Sequence, residues 1–194
     1  MGNALSRIDR KPTTTEAVGI NAVFIVLMWA LELIDTILGN SLDYFGVHSW
    51  DLPMVWTLLT APLLHIGWGH LMSNTVPFLI LGILIAQSGT KNWWAVYLAG
   101  MIGSGVAAWF INAPGQITLG ASGVVFAMLT YLLFRGFFSK NWLQIGLAIV
   151  IFMMYGSILW GVLPTNPAVS WQGHLGGAIG GVVAAKFLHS KPRY

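Results

Sequence analysis

The chain has 194 residues, of which 56% are hydrophobic and only 8% are charged. Soluble domains carry about 25% charged residues, so this composition excludes an ordinary soluble fold and indicates a polytopic membrane protein. The absence of cysteine excludes disulfides, thiolate catalysis and cysteine-ligated metals. The net charge of +3 comes from basic residues scattered between apolar segments, so nucleic acid is not expected as a partner.

The N-terminal residues 1–16 are polar and are predicted to form a cytoplasmic tail, with a threonine cluster at 13–15 that can cap the following helix. A first span is expected at 17–38. Glu32 and Asp35 lie three positions apart on one face near its far end. Carboxylates within a span are candidates for function, but here they can instead hydrogen-bond the next loop or reach water, and we favour that interpretation.

Residues 39–69 form a long connection that is rich in tryptophan and contains no lysine or arginine. Tryptophan prefers the interface between membrane and water, so this first outer loop is expected to lie partly within the membrane. Five more spans are predicted, at 70–87, 93–111, 122–134, 142–163 and 173–188. The predicted organisation is an all-α domain of six transmembrane helices at 17–190, followed by a cytoplasmic tail at 191–194.

The distribution of charge predicts the orientation of this domain. Six spans put both termini on one side of the membrane, and if that side is the cytoplasm, all nine basic residues lie on it. The outer loops then carry none, which agrees with the positive-inside rule. We therefore predict an integral membrane protein with both termini in the cytoplasm.

The predicted fourth span is short, because it has only 13 residues, from Ser122 to the residue before Arg135. At about 1.5 Å per residue these give roughly 20 Å of helix, against a hydrocarbon core of about 30 Å. Ser122 is therefore expected about 10 Å below the outer surface, at the end of a non-helical segment at 116–121. Such backbone is tolerated at this depth only if it is buried in protein or lines a wet cavity.

Ser122 and His174 open the fourth and sixth predicted spans. Ser122 lies 13 residues before Arg135, and His174 lies 12 residues before Lys186. If both helices cross in the same direction and end at those charges, the two residues lie within roughly 2 Å of one depth. A serine hydroxyl needs a base within hydrogen-bond reach and donors for the oxyanion. His174 is the candidate base.

Two side chains at the start of the second span are candidate oxyanion donors. His70 and Asn74 are four positions apart and therefore share a helical face. The backbone amide of Ser122 is a further candidate, because a helix N-terminus favours negative charge. These groups are predicted to face the same outer cavity.

Other kinds of site fit the sequence less well. No acidic residue follows Asp51, so His174 would act in a dyad, and neither two intramembrane aspartates nor a His-Glu-x-x-His zinc motif is present. A metal site made of His65, His70 and His174 stays open, but no carboxylate accompanies it, so neither a metal nor another cofactor is expected. A small transporter with broken helices is a further alternative, although no internal repeat is visible.

Glycines in the sixth span form one stripe with the candidate base. His174, Gly177 and Gly181 lie at positions i, i+3 and i+7. If this stripe faces Gly123 of the fourth span, the imidazole is carried against Ser122. Taken alone, the glycines favour the simpler interpretation, which is close packing of helices.

Together these residues resemble the rhomboid family of intramembrane serine proteases. The motifs are His65-x4-His70-x3-Asn74, Gly120-Ala121-Ser122-Gly123 and His174-x2-Gly177-x3-Gly181. The resemblance implies that Ser122 is the nucleophile and His174 the general base. It also implies that His70, Asn74 and the Ser122 amide form the oxyanion hole. His65 matches a family position that braces the first loop.

The resemblance further implies a minimal prokaryotic type, in the cell membrane, that cleaves single-span membrane proteins from the extracytoplasmic side. Two departures stand out: Thr57 replaces the arginine of a Trp-Arg pair, and Phe126 replaces a tyrosine whose ring stacks on the base. Residues 164–170 are predicted to cap the cavity, and the fifth span to form a lateral gate. The alternative is a silent rhomboid-like protein that binds membrane clients.

Overall fold

A computed structural model of the chain describes residues 13–166 and 169–190. Residues 1–12 of the predicted tail at 1–16, the predicted tail at 191–194 and residues 167–168 of the predicted cap lie outside the described residues. The described part contains six long helices: α1 (Thr14–Ile37), α2 (Gly67–Ala86), α3 (Thr90–Ile111), α4 (Ser122–Ser139), α5 (Trp142–Tyr155) and α6 (Trp171–His189). Two short strands, β1 (Val47–His48) and β2 (Ile117–Thr118), pair antiparallel.

The helices confirm an all-α polytopic membrane protein. Within the described residues, α1 to α4 and the segment Trp142–Val162 are long and apolar enough to cross a membrane. Helix α6 is not among these five, because Gln172, His174, Lys186 and His189 lower its hydropathy. Its 19 residues nevertheless give about 28 Å of helix. A sixth crossing by α6 stays a prediction.

The first three helices each begin three residues before the predicted start. For α1 the reason is the cap: the span was predicted to begin at its apolar run, whereas the helix starts at the polar residue that satisfies its first amides. Helices α2 and α3 begin after Ile66 and Gly89, which make no side-chain cap. In α1, Thr13 Oγ1 accepts from the Glu16 N–H at 3.2 Å, and Glu16 Oε2 accepts from the Thr13 N–H at 2.8 Å. The predicted cap by the threonine cluster is confirmed.

The predicted length of the fourth span is wrong. Helix α4 has 18 residues and continues through Arg135 to Ser139, which gives about 27 Å of helix. The Arg135 side chain is buried, and its Nη1 donates to Ser88 Oγ at 2.7 Å in the turn between α2 and α3. The charge therefore turns inward instead of ending the helix, and the length of α4 does not support a deep Ser122.

Helix α5 ends earlier than predicted. The α-helical part stops at Tyr155, and the chain continues as a 3-10 helix, Gly156–Val162, which we call the α5 extension. The next helix, α6, begins at Trp171 after Ser170, whose Oγ accepts from the Gly173 N–H at 3.2 Å. The predicted sixth span therefore gains two residues at its start.

The connection between α1 and α2, residues 38–66, folds as short 3-10 helices around β1 and is called loop 1. Val47, Ala61 and Leu64 of loop 1 are buried in a small apolar cluster with Ala108 and Leu119. Strand β1 pairs Val47 with Thr118 of β2, so loop 1 is joined to the chain that leads to Ser122. Its position in a membrane stays a prediction.

The carboxylates at the end of α1 hold loop 1. Asp35 Oδ1 accepts from the Leu42 N–H at 2.6 Å, and the Asp35 carbonyl accepts from the Asn40 N–H at 2.8 Å. For Asp35, the favoured interpretation of a bond to the loop is confirmed. For Glu32 the interpretation is not confirmed: it is 3% exposed and so does not reach water, and its Oε2 has no hydrogen-bond partner among the described residues. Burial, followed by the nearby charge of Asp35, raises the pKa of Asp43 in loop 1.

Candidate active site

Ser122 and His174 come together at the N-terminal ends of two neighbouring helices. Ser122 is the first residue of α4, and His174 is the fourth residue of α6. Ser122 Oγ lies 2.8 Å from His174 Nε2. This distance is within the range over which a histidine can accept a proton from a serine hydroxyl.

The other ring nitrogen of His174 determines the direction of that hydrogen bond. His174 Nδ1 lies 2.9 Å from the Gly161 carbonyl oxygen in the α5 extension. A carbonyl oxygen only accepts, so Nδ1 carries the proton and Nε2 presents its lone pair to the Ser122 hydroxyl. The site thus contains a third, orienting group, which is a main-chain carbonyl instead of an acidic side chain.

Gly161 was not predicted from the sequence, because a backbone acceptor leaves no residue-type signal. Its glycine identity is the signal that could have been noticed. A Cβ at this position would lie 2.9 Å from Phe126 Cζ and 3.0 Å from His174 Nδ1. The close approach of the Gly161 backbone to the imidazole therefore requires glycine.

Phe126 fixes the plane of the imidazole. Its ring stacks on His174 with a centroid separation of 4.2 Å and an interplanar angle of 15°. Both side chains are buried, with 3% of Phe126 and 9% of His174 exposed. The departure from tyrosine therefore keeps the stacking, and the aromatic face is well placed to stabilise a positive charge on the ring.

Helix α6 packs on α4 through backbone contacts at glycines, which we call the glycine seam. A Cβ at Gly177 would overlap the Gly123 carbonyl, and a Cβ at Gly181 would overlap the Ala127 carbonyl. On the other side, a Cβ at Gly123 would overlap Ser104 of α3. The structure thus places the glycine stripe against Gly123, which brings the start of α6 within reach of Ser122.

The two residues before Ser122 are held by hydrogen bonds from loop 1. The Gly120 N–H donates to the Ala61 carbonyl at 2.9 Å, and the Ala121 N–H donates to His65 Nε2 at 3.3 Å. Gly120 has φ +124°, and a Cβ there would lie 2.9 Å from His70 Nε2. Only glycine allows both this conformation and the approach of the His70 ring.

His65 is a buried, neutral acceptor. It is 2% exposed, and its ring lies 5.2 Å from the ring of His70, centroid to centroid. Burial, followed by the charge of His70, lowers the pKa of His65 to about 3. The resemblance implies that His65 braces loop 1, and the structure shows that it also bonds the backbone next to Ser122.

The candidate oxyanion donors line the same cavity as Ser122 and His174. This cavity has a volume of about 990 Å³, and its wall includes His70, Asn74, Ser122 and His174. Asn74 is 4% exposed, and its Nδ2 donates to the His70 carbonyl at 3.0 Å. That bond uses one of the two amide protons, so the other is available to a ligand. Their role as oxyanion donors stays a prediction.

The alternative of a histidine metal site conflicts with these hydrogen bonds. Both ring nitrogens of His174 are used, by Ser122 and by Gly161. The Nε2 lone pair of His65 is used by the Ala121 amide. Two of the three histidines would have to give up these bonds before they could bind a metal ion.

The family model for the Rhomboid domain matches residues 52–191. The uncharacterized protein Rv1337 of Mycobacterium tuberculosis is 38% identical over 179 residues, which cover 88% of this chain and 74% of that protein. The rhomboid protease GluP of Bacillus subtilis is 32% identical over 136 residues, which cover 69% of this chain and 26% of GluP. The inactive RHOMBOID-like protein 8 of Arabidopsis thaliana is 32% identical over 112 residues, covering 54% of this chain and 30% of that protein.

Proposed function

The chain belongs to the rhomboid family, and we propose that it is an intramembrane serine endopeptidase with Ser122 as nucleophile and His174 as general base. The observation that carries this proposal is the 2.8 Å contact between Ser122 Oγ and His174 Nε2. The bond from His174 Nδ1 to the Gly161 carbonyl supports it, because it leaves Nε2 as the acceptor.

In the proposed reaction, Ser122 Oγ attacks the carbonyl carbon of a peptide bond while its proton passes to His174 Nε2. The Ser122 amide, His70 and Asn74 are the proposed donors to the oxyanion that forms. His174 then gives its proton to the leaving amine, and the C–N bond breaks to leave an ester on Ser122. Water hydrolyses this ester by the same steps, with His174 again as base.

The surroundings of His174 suit the positive charge that it carries between these steps. The Gly161 carbonyl accepts from Nδ1–H, and this bond strengthens when the ring becomes cationic. The stacked Phe126 ring adds a cation–π contribution of about 0.5–2 kcal/mol at such a buried position. No acidic side chain is needed for this role.

The proposed substrates are single-span membrane proteins, cleaved in or near their transmembrane segment from the extracytoplasmic side. The cavity volume of about 990 Å³ supports a peptide ligand, since it is at the upper end of the range of small-molecule pockets. All nine basic residues lie in the tails or toward the helix ends and turns that a six-span topology puts on one side, which supports cytoplasmic termini and an outward-facing cavity.

A silent protein that binds membrane clients is the second candidate, because one relative is named as inactive. The presence of both Ser122 and His174 in bonding contact argues against it. The two candidates differ in one measurable property, which is whether the Ser122 hydroxyl is reactive.

The test is cleavage of a single-span substrate by the purified protein in liposomes, together with labelling by a fluorophosphonate that reacts with activated serines. Ser122→Ala should lose both cleavage and labelling. Ser139→Ala makes the same change at the other end of α4, where Ser139 Oγ bonds the Gly136 carbonyl, and should retain both. Cleavage by Ser122→Ala would refute the proposal. A folded wild type that neither cleaves nor becomes labelled would favour the client-binding protein.

A further inference from the structure

Asn112 is a buried polar residue outside the reactive pair, at the point where the chain leaves α3. It is 3% exposed. Its N–H donates to the Ala108 carbonyl at 3.3 Å, and its carbonyl accepts from Trp50 Nε1 at 3.0 Å. The Asn112 backbone is therefore fixed by bonds to α3 and to loop 1, so its side chain projects from a rigid position.

The Asn112 carboxamide contacts two separate segments. Its Nδ2 donates to Thr118 Oγ1 at 2.8 Å. The Ser170 hydroxyl lies 3.4 Å from both Nδ2 and Oδ1 of Asn112. A weaker bond therefore joins these two side chains, in which the hydroxyl either accepts from Nδ2 or donates to Oδ1. A buried carboxamide is costly unless it is bonded, and here its bonds join β2 to the start of α6.

Thr118 and Ser170 lie at equal distances along the chain before Ser122 and His174. Thr118 is four residues before Ser122, and Ser170 is four residues before His174. The Ser170 Oγ accepts from the Gly173 N–H at 3.2 Å, and the Ser170 carbonyl accepts from the His174 N–H at 3.1 Å. Ser170 therefore defines the first turn of α6, on which His174 lies.

We propose that Asn112 is a positioning residue that sets the distance between Ser122 and His174 by joining the segments that precede them. The inference rests on the proposed function and adds a residue that lies in none of the three sequence motifs shared with the rhomboid family. Asn112 acts through Thr118 and Ser170 and does not itself contact the reacting atoms. A displacement of about 1 Å between reacting groups can reduce a rate about a hundredfold, so a small relaxation at Asn112 is sufficient to be measured.

The first test is Asn112→Ala in the purified full chain, with kcat and KM for the single-span substrate and the labelling rate of Ser122 by the fluorophosphonate. We expect kcat and the labelling rate to fall together by about tenfold to a hundredfold, with KM changed by less than about twofold. An unchanged kcat would overturn the inference. A raised KM with unchanged kcat would also overturn it, because Asn112 lines the cavity and would then contact substrate instead.

Asn21→Ala is the matched control for a purely structural effect. Asn21 is a fully buried asparagine on α1 whose Nδ2 donates to the Ala17 carbonyl at 2.8 Å and whose Oδ1 accepts from Trp93 Nε1 at 3.1 Å. Its loss should lower stability but leave kcat per folded molecule unchanged. Equal losses of kcat in the Asn21→Ala and Asn112→Ala variants would overturn the inference.

A conservative pair at Thr118 isolates the hydrogen bond. Thr118→Val keeps the shape and removes the hydroxyl, and we expect a smaller loss of kcat than in Asn112→Ala. Thr118→Ser keeps the hydroxyl and should restore most of the rate. Equal rates in these two variants would show that the bond at 2.8 Å has no positioning role. A wild type that is neither active nor labelled refutes the proposed function, whereas an active wild type with an unaffected Asn112→Ala refutes this inference alone.

Discussion

The two ring nitrogens of His174 contact two regions that differ in how tightly they are packed. Nε2 meets Ser122 across the glycine seam, where α6 lies against α4 through backbone contacts at Gly177 and Gly181. Nδ1 meets Gly161 in the α5 extension. Of the 18 residues of α4, 67% are buried, whereas only 11% are buried in an 18-residue stretch of α5 with its extension. Ser122 is therefore held by a tightly packed interface, and the orientation of His174 depends on a lightly packed segment.

The largest effect is expected from breaking the glycine seam. In Gly177→Leu the side chain would overlap the Gly123 carbonyl, so α6 must move away from α4. We expect a loss of more than about a hundredfold in cleavage, and a decrease of about 3 kcal/mol in the free energy of unfolding. Initial rates in liposomes and chemical denaturation in detergent measure the two quantities.

Gly146→Leu is the matched control for that experiment. Gly146 is on α5, and a Cβ at this position would have no neighbouring atom within 4 Å, so the same substitution meets open space. Cleavage and stability should stay close to those of the wild type. If Gly146→Leu were as harmful as Gly177→Leu, the contrast between the two regions would be wrong.

A smaller and more selective effect is expected at Gly161. In Gly161→Ala the new methyl group would lie 2.9 Å from Phe126 Cζ and 3.0 Å from His174 Nδ1, so the α5 extension must shift outward. The imidazole then loses its orienting acceptor, and we expect kcat to fall about tenfold to a hundredfold. Because α5 is lightly packed, the free energy of unfolding should change by less than about 1 kcal/mol.

The comparison with Gly177→Leu distinguishes orientation from folding. A Gly161→Ala variant with normal kcat would mean that the Gly161 carbonyl does not orient His174. A large loss of stability in the same variant would mean that the α5 extension is as tightly packed as the seam. Either result would remove the contrast on which the prediction depends.

The smallest effect is expected at His65, which bonds the backbone next to Ser122. We expect this histidine to make the protein less stable in acid. Its pKa is about 3 in the folded protein, and an unfolded histidine titrates near 6.5. Between these two values the unfolded chain binds a proton that the folded chain does not, so stability falls as pH falls from about 6.5 toward 3. We expect a decrease of about 2 kcal/mol between pH 7 and pH 5, measured by denaturation in detergent.

His65→Gln tests the source of this decrease. Glutamine keeps an acceptor for the Ala121 amide and does not titrate in this range. The variant should therefore lose less stability than the wild type between pH 7 and pH 5. Equal losses in both proteins would assign the acid sensitivity to another group.

The parts of this structure that could be predicted are those encoded by residue type. The apolar segments predicted the helices. The stripe of His174, Gly177 and Gly181 predicted which face of α6 contacts Gly123, because helical periodicity places these positions on one side. Asp35 could be assigned to loop 1 because a carboxylate at a helix end has backbone amides within reach. Residue type and period together determine such contacts.

The rest depends on contacts that no residue type reveals. The prediction that a helix ends at Arg135 assumes that charge marks the membrane surface, but Ser88 offers this arginine a buried hydrogen-bond partner from another segment. The orienting group for His174 is a main-chain carbonyl, which every residue carries. Asn112 belongs to no motif, and its two partners lie in segments whose proximity appears only after α3 and α6 are packed.

The separation of Ser122 and His174 along the chain has a consequence for biogenesis. The ribosome completes Ser122 52 residues before His174. At about 5 to 20 residues per second, Ser122 precedes His174 by about 3 to 10 seconds. During this interval the hydroxyl has no acceptor at Nε2 and is an ordinary, unreactive alcohol. On the proposed mechanism, a nascent chain therefore has no activated serine until α6 has packed against α4.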